Sequence, residues 1–277
     1  MLTEPSPRPL PPETAPPSPI THVPRWRWWI QLVLIGGYIV PRIALTAAFP
    51  RHSPALSDRV STLLLVCAVE VLFFGLMYLI AIRTSGATKE ELFLPWRPGW
   101  LVLPLGIVYS IGIRLAAGAV IFAVLVVLIG SRVVEPTAAH DYIRSEQPHV
   151  QQLVDVSAMQ HNPAYFWLIV TVVSFVVAGL REEMWRSGTL AAMRALWPRA
   201  FSSIRGQMVA VALIAVLFGA AHLQLGVLGA ILAGLLGLFL GVIIIVHRSI
   251  WPAVIAHGLL DATTFALIPF ILTKSPH

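Results

Sequence analysis

Three polar clusters carry the chemistry this chain can do: Glu182-Glu183, Phe218 to His222 and His257 to Asp261. Each lies within or at the end of an apolar stretch. An ionisable side chain inside a membrane helix costs roughly 2.5–3.5 kcal/mol, so such groups are paired, buried in a bundle or part of a site. Carboxylates and imidazoles brought together from three helices have the composition needed to activate a water or to bind a metal ion.

The clusters differ in what each implies alone. Glu182 and Glu183 are adjacent, so on a helix they point about 100° apart and suit two different roles. Arg186 follows them at three- and four-residue spacing, which permits an intrahelical ion pair with either. Phe218 and His222 stand one turn apart with small residues between them. His257 and Asp261 share the same spacing, so imidazole and carboxylate can orient each other or address one ion. Taken singly, each has an ordinary alternative: a solvated helix end, a packed histidine, a structural His-Asp pair.

The elements that must position them are read from composition. Hydrophobic residues make up 57% of the 277, charged residues 12%, and the mean hydropathy is +0.80. That balance excludes a soluble globule and predicts an all-α, polytopic membrane helical bundle. Seven apolar segments can be drawn (six to eight with uncertain ends), at about 28–49, 60–82, 101–130, 165–180, 208–222, 226–246 and 250–272. The third is long enough to tilt or break near Gly118, and the fourth is expected to continue as helix through Arg181 to Arg194. That continuation places the glutamate pair at or just inside one membrane face, with His222 nearer the other. Gly226, Gly229, Gly234, Gly237 and Gly241 recur along the sixth segment, which predicts close packing against the helices bearing the polar groups.

The chain divides into a proline-rich, disordered cytoplasmic tail (1–24), N-terminal membrane helices with a polar loop (25–163), a catalytic membrane core (164–272) and a short tail (273–277). The tail lacks the apolar core of a signal peptide. The longest loop, 131–162, has room for a short surface helix and shows no catalytic pattern. Inner loops would hold Arg8, Arg25, Arg27, Arg83, Lys89, Arg97, Arg181, Arg186, Arg194, Arg199, Arg205 and Arg248. Outer ones would hold only Arg51, Arg59, Arg132, Arg144 and Lys274, which places the N-terminus in the cytoplasm and the C-terminus outside. The net charge of +6 is scattered at segment ends, so nucleic acid is not an expected partner. The lone cysteine, Cys67, forms no intrachain disulfide and is expected to pack in the core. Glu70, in the second span, is expected to pair with Arg42 and Arg114 and tie the N-terminal helices together, so Glu70→Gln should harm folding yield more than turnover. His247 looks interfacial.

In combination and in order, Glu182-Glu183-Met-Trp-Arg186, Phe218-x-x-x-His222 and His257-x-x-x-Asp261 resemble the CPBP family of intramembrane proteases, which includes CAAX prenyl endopeptidases and bacteriocin-processing enzymes. The resemblance covers about 165–271. It implies that Glu182 polarises a water with help from His222, that Glu183 and Arg186 steady the site beside Phe218, and that His257 and Asp261 stabilise the oxyanion or hold a metal. Zinc on His222 and His257 and a metal-free glutamate-histidine site both fit these residues. The chain departs from the family at one point: the arginine stands one residue early, and Ser187 occupies its usual place before Gly188. The expected function is therefore an endopeptidase acting on a peptide or membrane-associated substrate at the bilayer. The alternatives are an inactive relative serving as scaffold or immunity-type binder, and a transporter with a proton relay.

Overall fold

The computed structural model describes residues 23–41, 43–44, 59–135, 137–138 and 154–272, which are predominantly helical and contain no strand. The principal helices are α1 (Arg25–Leu34), α2 (Val60–Ser85), α3 (Val102–Gly130), α4 (Val156–His161), α5 (Pro163–Leu196), α6 (Pro198–Phe201), α7 (Ile204–Ala220), α8 (Gly226–His247) and α9 (Trp251–Leu272). Among the described residues, five helical stretches are long and apolar enough to cross a membrane: Val60–Ser85, Gly99–Gly130, Pro163–Leu196, Leu223–His247 and Trp251–Phe270. Ile204–Ala220 is a shorter apolar helix. The all-α polytopic bundle is thus as expected.

The segment at 28–49 differs from its expected single span. α1 stops after ten residues and gives way to a 3₁₀ turn at Gly36–Ile39, where the Gly36-Gly37 pair weakens an α-helix. Residues 45–58, like the tails 1–22 and 273–277, lie outside the described residues. α3 runs unbroken through Gly118. It shows its apolar side chains outward, among them Ile107, Leu115, Phe122 and Val127, as a lipid-facing helix should.

Local chemistry fixes the ends of α5, the helix that matters most. Asn162 caps it, its side-chain oxygen accepting from the Ala164 and Tyr165 amides at 3.1 and 3.2 Å, and Pro163 occupies the first turn, where a missing N–H costs nothing. The helix then continues for 34 residues, through the glutamate pair as expected. Its middle, Ile169–Leu180, is π-helical. That run is rich in β-branched residues, which crowd the preceding turn of an α-helix, and Ser174 donates to the Ile169 carbonyl five residues back at 2.9 Å.

α9 packs on this widened stretch and on α3, while α7 packs on α8. Where α5 and α9 cross there is no room for side chains: a Cβ on Gly258 would lie 2.3 Å from the Phe175 ring, and one on Gly179 3.0 Å from the Val254 carbonyl oxygen. On α8, a Cβ at Gly237 would press on the Phe218 ring at 3.1 Å, and one at Gly219 of α7 would meet the Ala230 carbonyl at 2.7 Å. The glycine stripe therefore brings α8 against the Phe218 helix, as the sequence predicts. Cys67 is buried.

Candidate functional site

Glu183 sits at the centre. It is fully buried and held on two sides: Oε1 lies 2.9 Å from His257 Nδ1, and Oε2 pairs with Arg186 one turn on. Because a carboxylate only accepts, His257 donates from Nδ1 and presents Nε2 to the rest of the site. That Nε2 stands 3.8 Å from Glu182 Oε2 and 3.7 Å from Asp261 Oδ2. These separations exceed direct hydrogen bonds but keep both carboxylates within ion-pair distance of Nε2.

The displaced arginine still reaches its partner, because three- and four-residue spacings lie on one helix face. Arg186 is fully buried, with its guanidinium 4.9 Å over the Phe218 ring. Ser187, in the usual arginine position, bonds locally to the Met184 carbonyl at 3.1 Å. Burial removes the alternative of a solvated helix end for this cluster: Glu183 is fully buried, and Arg181 and Arg186 are buried groups rather than loop charges. The remaining inner arginines keep the charge asymmetry without them.

Phe218 is the hub that joins the elements. Trp185 stacks on it at 6.1 Å between centroids, the His222 ring lies 4.5 Å away, and the His257 ring meets it edge-on at 6.4 Å. The difference in depth expected between His222 and Glu182 is thereby bridged at one aromatic ring. His222 lies just past the end of α7, where Nδ1 is 2.7 Å from the Phe218 carbonyl oxygen. A carbonyl only accepts, so Nδ1 carries the hydrogen and Nε2 is the atom left for chemistry. All seven residues singled out from the sequence thus fall into one contiguous region. The described residues contain no group of three or more His, Cys, Asp or Glu side chains placed to hold a metal ion, whereas a catalytic zinc takes three protein ligands.

Residues 163–263 match the model of a protein family described as type II CAAX prenyl endopeptidase, Rce1-like. This region is an Rce1-like domain. It spans under half the chain and contains all seven residues, and the family is one of peptidases, consistent with the CPBP and CAAX protease group. At the family level this match supports a CAAX-type intramembrane protease, and the apolar helices support an integral membrane protein. No curated protein and no solved structure matches the chain.

Two groups differ from expectation. Glu70 pairs with Arg181, and Arg114 turns instead to the Leu260 carbonyl at 2.8 Å, to Ser110 and to Thr263. Arg42 lies outside the described residues. Arg181 was missed as a functional residue: it also contacts Glu182 Oε1 at 3.0 Å. Its only signal in the sequence is adjacency to the glutamate pair, which a reading of loop charges absorbs.

Proposed function

We propose that the protein is an endopeptidase whose Rce1-like domain hydrolyses a peptide bond of a membrane-associated or peptide substrate, with Glu182 as general base. The observation that carries this reading is the buried Arg186-Glu183-His257 chain, which fixes one imidazole so that its Nε2 lies within 4 Å of both the Glu182 and the Asp261 carboxylates.

Each residue then has a task. Glu182 takes a proton from the water, and the hydroxide adds to the scissile carbonyl carbon. With His257 and His222 in the imidazolium form, their Nε2–H groups meet the oxyanion while each Nδ1–H keeps its bond to Glu183 or to the Phe218 carbonyl. Glu182 returns the proton to the amine nitrogen as the C–N bond breaks. Glu183 and Arg186 do not touch substrate; they hold His257 and the Phe218 face in place. Asp261 completes the water site. The inactive-scaffold alternative drew on the shifted arginine, and the intact Arg186-Glu183 pair removes that support.

Zinc, if bound by His222 and His257, would polarise the same water. Elemental analysis of protein purified without chelators decides it: near-stoichiometric zinc lost in both His222→Ala and His257→Ala would establish that role. The family description names CAAX prenyl substrates, so a farnesylated CAAX reporter and an unlipidated transmembrane reporter are the pair to compare in proteoliposomes. Cleavage by wild type and none by folded Glu182→Ala and His257→Ala protein is the expected result; retained cleavage in both variants would refute these roles.

A further inference from the structure

We propose that Glu70, on α2 and outside the Rce1-like domain, is a positioning residue for the hydrolytic site, holding Glu182 through the Arg181 guanidinium. This rests on the general-base reading of Glu182 given above.

The geometry is a three-member chain across two helices. Arg181 Nη1 pairs with Glu70 Oε1, and Arg181 Nη2 lies 3.0 Å from Glu182 Oε1. The second oxygen of Glu182, Oε2, is the one directed at His257 Nε2. Adjacent residues on a helix do not face each other, so the Arg181 side chain needs a tether outside α5 to stay against Glu182. Glu70 supplies it from a helix 111 residues away in sequence. The Arg181 side chain is only 8% exposed and that of Glu182 13%, so the link is made out of contact with bulk solvent. A carboxylate in the middle of a membrane helix is costly to keep, and Glu70 is 35% exposed. Holding Arg181 gives that carboxylate a reason to be there.

A planar guanidinium shared between two carboxylates has a fixed orientation. With Glu70 removed, Arg181 belongs to Glu182 alone and is free to swing, carrying Glu182 off its line to the water. Displacements of about 1 Å at a reacting group cost up to about a hundredfold in rate.

The test combines turnover with a thermal-stability cycle on the full-length protein. With the farnesylated CAAX and transmembrane reporters in proteoliposomes, Glu70→Gln should lower kcat by about tenfold or more with KM within about twofold, the pattern of a lost transition-state interaction. Glu70→Asp should restore most of that kcat. In parallel, the melting temperatures of Glu70→Gln, Glu182→Gln and the double variant should be non-additive, through the Arg181 link between the two carboxylates, and should become additive in an Arg181→Gln background. A variant that melts early yet keeps wild-type kcat makes Glu70 a strut between helices and overturns the proposal, as does additivity in the presence of Arg181. If wild-type protein cleaves neither reporter, the peptidase reading fails, while the melting cycle still decides whether Glu70 holds Glu182.

Discussion

At the scale of single residues, the site separates groups that do chemistry from groups that hold them. Glu182→Gln should fold like wild type and lose about 10²–10⁴ in turnover, the contribution of a positioned general base, as read by reporter cleavage in proteoliposomes. Arg186→Ala should fail differently. It strands the Glu183 carboxylate at 0% exposure, and breaking a buried pair costs about 3–5 kcal/mol, so denaturation in mixed detergent should show lost stability ahead of lost activity. The double variant Glu183→Gln/Arg186→Met, which leaves no buried charge, should recover part of that stability. The site residues themselves were legible in the sequence, because polar groups at one-turn spacing stand out in an apolar chain. The Glu70-Arg181 contact was not: it joins residues far apart in sequence, and Arg114, lying in a neighbouring apolar span, was an equally plausible partner by sequence alone.

At the scale of elements, the site depends on how closely α5 and α9 approach. Gly258→Val would drive a side chain into the Phe175 ring, with overpacking costs of about 1–3 kcal/mol, and would part Glu183 from His257. Melting temperature and reporter cleavage should fall together, and Phe175→Ala in the same protein should restore some of each. The continuation of the fourth segment through the charged stretch was readable, since a helix that ended at Leu180 would be too short to span. The π-helical middle was not readable. In a run that is apolar on every side, hydrophobic period carries no information about turn geometry. The early end of α1 at the Gly36-Gly37 pair was likewise hidden inside a continuous apolar segment.

At the scale of the whole molecule, basic groups gather at one end of the bundle. Arg25 donates to the Leu196 carbonyl at 2.8 Å, Arg194 lies 5.2 Å over Phe93, and the Ile250 amide reaches the Phe93 carbonyl at 2.8 Å. The start of α1, the loop between α2 and α3, the end of α5 and the start of α9 therefore share that end, and Lys89, Arg97, Arg199 and Arg248 lie in or beside these segments. We propose that this end faces the cytoplasm. In the Cys67→Ser background, a cysteine placed at Glu90 should be labelled by a membrane-impermeant maleimide only from the cytoplasmic side, and one at Leu223 only from the opposite side; the reverse pattern would invert the topology. The central claim remains the hydrolytic one, that a buried arginine and glutamate fix His257 so that Glu182 can activate water. The most direct test is mass spectrometry of both membrane reporters after incubation with reconstituted wild-type, Glu182→Gln and His257→Gln protein of matched melting temperature. The account predicts one peptide-bond cleavage that gains the mass of a water with wild type and disappears in both variants. Undiminished cleavage in either variant would contradict it.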